Sequence, residues 1–528
     1  MSTHCRKENT NAALLINSST GPAEKQRGRM RFLYEQRQDW PPNAWLALCT
    51  QDSDAVLVYH GRQVETSDEW FCEAVWTGEF EAGGFDQADT VFGSGGRLRD
   101  GNLTFVSATS TVDRLQFTQD KDAVLVSNSL VCLVANSKIQ LDRCYPDYYQ
   151  DFRSVVKGID LVKLDVRTTS GNLKLCYFHN LVWTGKEIEQ QEKPFTEHDF
   201  STFELYSEFM FSSVKALLDN GRSQSRKHPF EPLGTVSTGY DSPTVAVLAA
   251  ASGCKEAITF EAARGGDNDS GEHIADRLGM NCTVISRDDW QQQDFPEVSF
   301  LAGDAYGEEM HYACAGEMLS GRMLLTGFTG GQVWNKQIKN LGPNIARSDN
   351  SGLALTEYRL WRGFIHCPVP YIGARQVSAI NKISKSSAME PWDVPGNYNR
   401  PICRRMVEEE GVPREWFGQG KRATSVVLWN PDEVFLTEKS RADYNDSLNG
   451  LFWDFIKARR LHPTVRRYIR PVASALAWPL PPKVVKKRLP YLRKLTETDV
   501  DLFHNLFPWA VNRAVSKYKP SVRRQPRS

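Results

Sequence analysis

The sequence predicts an α/β protein, a parallel-sheet domain with a helical C-terminal part, preceded by a β-rich region. Three observations predict it. Between 30 and 184, short apolar runs are separated by Gly, Asn, Asp and Ser turns. Between 233 and 325, four short apolar runs alternate with helical patterns, which implies parallel strands joined by right-handed crossovers. From about 351 onward the spacing is mostly helical, interrupted by extended proline-containing pieces such as 366–370. The chain has 528 residues, more than one typical core holds. We expect a disordered polar lead-in over 1–28, a β-rich domain over 29–195, an α/β domain over 196–455 and a basic helical tail over 456–528.

Composition excludes several classes. Lys plus Arg and Asp plus Glu stand at 64 each, so bulk charge selects no partner. No apolar run reaches the length of a membrane span, and the polar start MSTHCRKENT is no signal peptide. The 11 cysteines are scattered, without a CxxC pair or clustering with the ten histidines. They read as buried thiols of a reducing cytoplasm, and no zinc site is expected.

Taken in order, strands are expected at 45–49, 55–59, 103–107, 123–126, 130–135 and 173–183. The glycine-rich stretch 93–102 reads as a hairpin or wide loop, with no strand–helix context for phosphate. An amphipathic helix follows at 200–218. Buried strands then lie at 233–236, 257–260, 282–285 and 323–325, with helical patterns at 243–252, 271–279 and 308–320. The tail is short of acids, and stretches such as VVKKRLPYLRKL suggest a basic surface interleaved with apolar residues. That surface suits anionic lipid, nucleic acid or a polyanionic product, or is a solvated face balanced by acids elsewhere.

The candidate site is the loop 237–242, reading STGYDS after a short apolar run. Ser242 suits a helix N-cap and Pro243 the first helical position. Strand, polar loop and helix N-terminus together make an anion site, because backbone N–H groups and the helix dipole face the loop. The hydroxyls of Ser237, Thr238 and Ser242 add donors, and Asp241 offers a hard oxygen for Mg²⁺. The alternative is an ordinary strand-to-helix turn. Without a GK[ST] ending, the loop is no Walker motif.

The loop resembles the SGGxDS pyrophosphate loop of the N-type ATP pyrophosphatases (PP-loop proteins), with Thr238 in place of the first glycine. Its surroundings resemble the asparagine synthetase branch, which includes β-lactam synthetases and lasso-peptide cyclases. The segment 256–279 resembles that branch's second strand and following ADxLG helix. The segment 324–332, LLTGFTGGQ, stands where the branch has LSGEGxDE, 357–373 resembles the piece ending in LExRxPFLD, and 401–422 the helix with its lysine-bearing loop. The likeness covers about 200 to 430 and extends weakly over 30 to 184.

The resemblance implies a class II glutaminase-like (Ntn) domain followed by an adenine nucleotide alpha hydrolase-like domain. The implied chemistry is activation of a carboxylate by ATP to an acyl-adenylate, then attack by an amine or ammonia. ATP and Mg²⁺ are the implied cofactors. Ser237, Thr238, Gly239, Asp241, Ser242, Phe260 and Gly327 are the implied nucleotide contacts, with Asp241 also the metal ligand. Lys421 is the implied catalytic cation, or an ordinary exposed lysine. Glu357 orients or deprotonates the nucleophile, or serves in a structural salt bridge.

Two departures from the family pattern stand out. The chain begins Met1-Ser2-Thr3-His4-Cys5, which offers no cysteine at a processed N-terminus for glutamine hydrolysis. The family's second metal carboxylate falls on Gly331 and its following glutamate on Gln332; Asp267, Asp269 and Asp304 are candidates to substitute. Thr238 further constrains the loop if that position needs a positive φ. The leading expectation is an AMP-forming amide ligase using a small-molecule or peptide carboxylate and an amine or external ammonia. The rivals are a silent nucleotide-binding scaffold and a PP-loop enzyme that modifies RNA held by the basic tail. Expected partners beyond the substrates are an anionic surface and a second copy of the chain.

Overall fold

The structure, a computed structural model, describes residues 30–51, 53–426, 436–457 and 505–519 with four isolated positions between 465 and 475. The expected lead-in 1–28 and most of the basic tail, including 484–495, lie outside the described residues. The architecture is mixed α/β, with one parallel sheet and several antiparallel ones.

The first part of the chain builds two six-stranded sheets. One runs Arg31–Gln36, Ala55–His60, Trp45–Thr50, Ala123–Ser127, Leu115–Gln119 and Lys174–Cys176. The other runs Ile188–Glu192, His179–Trp183, Asn102–Val106, Val91–Arg99, Trp70–Trp76 and Glu65–Thr66. Side chains alternate across a strand, so Val56, Val58 and Trp45 of one sheet meet Phe71, Phe105 and Leu181 of the other in a shared core. The stretch 93–102 is a hairpin, in which Arg99 pairs with Asn102. Its turn residues Asp100 and Gly101 have φ of 51° and 80°, as the tight primed turn requires.

Two expected strands differ. The run 130–135 is the helix Leu130–Ala135, capped by Ser129, whose Oγ accepts from Cys132 N at 2.9 Å. A six-residue apolar run fits a buried helix as well as a strand, and the cap decides. The run 173–183 is two strands, Lys174–Cys176 and His179–Trp183, separated by Phe178 at φ 54°.

The helix Phe203–Gly221 crosses from this region to the parallel sheet, packing Tyr206, Met210 and Val214 against Val75 and Phe92. The expected boundary at 195/196 falls between the strand Ile188–Glu192 and this helix. Five parallel strands follow: β1 (Glu231–Thr235), β2 (Glu256–Phe260), β3 (Asn281–Ile285), β4 (Arg322–Thr326) and β5 (Ile365–Pro368). Their spatial order is β3-β2-β1-β4-β5. The proline-containing piece expected only to be extended supplies β5, an edge strand where Pro368 is tolerated. The pattern at 308–320 is a 3₁₀ segment Met310–Ala315 followed by a short helix Gly316–Leu319. Part of the tail is core: Leu506, Phe507 and Ala510 of the helix Leu506–Ala514 are fully buried.

The two regions are locked together by a buried ion cluster. Arg359, on the helix Leu355–Arg362, donates to Glu73 Oε2 at 2.6 Å and to Asp113 Oδ1 at 2.9 Å. All three side chains are at most 5% exposed. Removing one member of such a cluster leaves an uncompensated charge in the core. Arg359→Met is expected to destabilise the chain by roughly 3–5 kcal/mol, read by urea unfolding. Adding Glu73→Gln and Asp113→Asn is expected to recover part of that loss.

Candidate functional site

Strand order reverses between β1 and β4, and ligands of open parallel sheets lie outside the strand carboxyl ends at such a reversal. A cavity of about 230 Å³ lies there. Ser237, Gly239, Asp241, Ser242, Phe260, Gly327 and Lys421 all line it. A larger cavity, about 610 Å³, lies beside Asp142, Arg143, Asp454 and Lys457. Its charges are mixed and it lies at no reversal of the parallel sheet.

The cradle is tied together by its own side chains. Ser237 Oγ and Ser242 Oγ are 2.8 Å apart, and Gly239 N donates to Ser237 Oγ at 3.3 Å. Thr238 does not have positive φ, so its Cβ is accommodated without strain. Asp269 holds it, accepting from Thr238 N at 3.2 Å and Thr238 Oγ1 at 2.5 Å. Of the other two candidate substitutes, Asp267 is exposed and Asp304 accepts from Tyr306 N and Gly307 N at 2.8 Å each. The helix Asp241–Ala251 begins two residues earlier than expected, with Tyr240 as N-cap and Ser242 and Pro243 inside the first turn. Proline fits anywhere in that turn, because its N–H would have no intrahelical partner.

The loop after β4 presses on this helix start. A Cβ at Gly327 would come 2.7 Å from Asp241 Cβ, and one at Gly330 would come 2.4 Å from Asp241 Cγ. Only glycine permits that approach. Thr329 sits at φ 73° between them, with its hydroxyl donating to Tyr371 at 3.2 Å. The carboxylate of Asp241 forms an ion pair with Arg400 Nη1. A Cβ at Gly331 would come 2.9 Å from Arg400 Nη2.

The segment 417–426 forms the outer wall. Gly418 N donates to Thr238 O at 2.9 Å, and Arg264 N to Ala423 O at 2.8 Å. Arg422 Nη1 reaches Thr238 Oγ1 at 2.9 Å and Asn268 O at 2.6 Å. Lys421 is exposed beside it. Arg400, Lys421, Arg422 and the helix N-terminus bring positive charge to the cavity.

Acidic groups line it too. Glu309 and Asp349 line it, with Glu308 and Asp304 behind. Burial, then Asp304 and Asp349, push the Glu308 carboxyl up to about 8. Burial, then Glu308, raise Glu309 well above the usual range, although it accepts from Gly352 N at 2.7 Å and Ala354 N at 3.1 Å. Burial opposes charge on Asp349 too, but Arg347 and its hydrogen bonds to Ser351 and Ser348 bring it below the usual range. Phe260 and His311 also line the cavity, with ring centroids 4.7 Å apart. Burial, then Arg287, push His311 down to about 3, so its ring is neutral.

A protein-held Mg²⁺ does not fit these residues. It needs oxygen ligands in a near-octahedral shell, whereas Asp241 is paired with Arg400 and residue 331 is glycine. No group of three or more His, Cys, Asp or Glu suited to a metal occurs among the described residues.

Glu357 is not brought to the cavity. It is 2% exposed, accepting from Ser129 Oγ at 2.7 Å, from Trp361 Nε1 at 2.9 Å and from the Tyr518 hydroxyl. Trp361 one turn along and the buried C-terminal segment turn its helix face inward. The ten described cysteines are free of disulfides, and burial raises the thiols of Cys72 and Cys176 to about 12. No helix among the described residues is long and apolar enough to cross a membrane. The sequence reading missed Arg400, Arg422, Glu309, His311 and Asp349. Arg422 and Arg400 were the findable ones, at the end of and one residue before the segment 401–422.

No protein-family model matches this chain, and no curated protein sequence matches it.

The raised Glu308 carboxyl has a consequence for stability. The folded chain binds that proton more tightly than the unfolded one, so the contribution is complete below the ordinary carboxylate range and lost as pH rises through about 8. Melting temperature is expected to fall between about pH 5 and pH 8 on this account. Glu308→Gln should reduce that fall by at least about 2 °C, measured by calorimetry across the window.

Proposed function

We propose that this chain is an ATP-dependent, AMP-forming amide ligase of the asparagine synthetase-like kind, with an amine or external ammonia as the nucleophile. In this reading the sheet carrying Asp241 is a PP-loop domain and the two-sheet region a glutaminase-like Ntn domain. The observation that carries it is the STGYDS cradle at the strand-order reversal, facing Lys421 and Arg422 across one cavity.

The substrate carboxylate attacks the α-phosphorus of ATP, which arrives as its Mg²⁺ complex, and the α–β phosphoanhydride bond breaks. Pyrophosphate leaves into the cradle, where Ser237, Ser242 and the helix N-terminus take up its charge. The amine nitrogen then attacks the acyl carbon, the acyl–phosphate bond breaks, AMP departs and the ammonium proton is lost. Lys421 stands where negative charge grows on the phosphates. Asp349, whose carboxyl is held below the usual range, suits an amine arriving as its ammonium, which gives up one proton to solvent before attack and the second after it. Phe260 offers an apolar face to the base or the acyl group.

A second reading is a nucleotide-binding protein that does not turn over, favoured by the Arg400 pair that occupies Asp241 and by glycine at 331. Calorimetric titration with Mg-ATP, followed by an assay for AMP and pyrophosphate with pooled carboxylates and amines, separates the two. Wild type is expected to bind ATP and form AMP. Lys421→Met should cut AMP formation about 10²-fold or more, with ATP affinity changed less than about threefold. Binding without AMP would favour the second reading; a folded chain that binds no ATP would overturn both.

A further inference from the structure

We infer that Arg400 stands where a protein-held divalent cation would stand, so that the cradle grips the pyrophosphate end of its ligand through a guanidinium. The inference rests on reading 237–242 as a polyphosphate cradle, and it adds that this grip is independent of metal.

Four observations carry it. The Asp241 carboxylate, the only acidic side chain of the cradle loop, is already in an ion pair with Arg400. Residue 331 brings no carboxylate, and the space where its Cβ would be lies against Arg400 Nη2 at 2.9 Å. The Arg400 side chain is 8% exposed, lines the cavity, and has a buried Nε without a hydrogen-bond partner. Its guanidinium lies 5.3 Å from the Tyr398 ring and 6.0 Å from the Tyr240 ring, which holds the plane in place.

Charge gives the reason why such an exchange works. A divalent ion between two carboxylates leaves a net charge of zero, and so does a guanidinium beside one. The guanidinium differs in offering N–H donors in a fixed fork that matches phosphate oxygens. Asp241 then acts as a positioning residue, holding Arg400 toward the cradle, and the glycine at 331 leaves room for it. Arg422, fixed to Thr238 and Asn268, supplies a second guanidinium across the cradle.

The test is calorimetric titration of the full chain with inorganic pyrophosphate, in Mg²⁺ and in EDTA. Wild type is expected to bind in both, with affinities within about threefold. Arg400→Met should weaken binding in EDTA by about tenfold or more, the loss of a charge-assisted hydrogen bond. Arg400→Lys, which keeps the charge and guards against a folding artefact, should fall between the two. Asp241→Asn, which keeps the shape but removes the charge that holds Arg400, should weaken binding by the same factor in Mg²⁺ and in EDTA. Binding that requires Mg²⁺ and is lost in Asp241→Asn would overturn the inference while leaving the ligase reading intact. No binding of pyrophosphate or ATP under either condition would overturn both.

Discussion

The buried contact of Arg359 with Glu73 and Asp113 is the constraint on which the rest of the molecule depends. Three charges taken out of water need good geometry to be tolerated. Here Ser94 Oγ and Asn128 Nδ2 complete Glu73 at 2.5 and 3.1 Å, while Asp113 Oδ2 is buried without a hydrogen-bond partner. The helix Leu355–Arg362 therefore has one register against the two-sheet region. It runs through Gly363, at φ 73°, into β5, which pairs with β4. The loop after β4 is the one that closes on Asp241. Thr111, near Asp113, tightens the connection: its hydroxyl lies 2.6 Å from that of Tyr371, which also accepts from Thr329. The ion cluster thus helps set the position of the cavity wall.

The cavity holds groups of both signs. Arg400, Lys421 and Arg422 bring positive charge to it, and Glu309 and Asp349 line it with Glu308 and Asp304 packed behind. Burial with mutual repulsion favours the neutral forms of Glu308, Glu309 and Asp304, so these carboxyls can answer an entering cation by releasing protons.

Much of the parallel sheet was legible because β1, β2 and β4 are short, largely buried apolar runs bounded by helices, a pattern visible in one dimension; β3, expected to be buried, lies at the sheet edge with only Ile285 buried. The cradle was legible for the same reason, being local. The helix Leu130–Ala135 was not, since six apolar residues carry no period and only the Ser129 cap decides. Glu357 could not be placed from sequence, because its partners Ser129 and Tyr518 lie 228 and 161 residues away. Arg400 escaped notice on the same ground: what makes it important is a carboxylate at 241 and a glycine at 331, neither of them near in sequence.

Two threonines of the site, Thr238 and Thr329, have opposite fates, and the contrast says which part of the site is under strain. Thr238 avoids positive φ and gains Asp269 as a partner, so the cradle accepts a side chain at no backbone cost. Thr329 is a β-branched residue at φ 73°, a conformation costing on the order of 1–3 kcal/mol. Such a residue persists only when its surroundings over-determine it. Here Gly327 and Gly330 on either side are pressed against Asp241, and Tyr371 holds the hydroxyl. The strain is stored in the loop that fixes Asp241, and Asp241 in turn fixes Arg400. A cradle whose key cation is a side chain, and not an exchangeable ion, needs its geometry built in advance, and this loop is where that geometry is held.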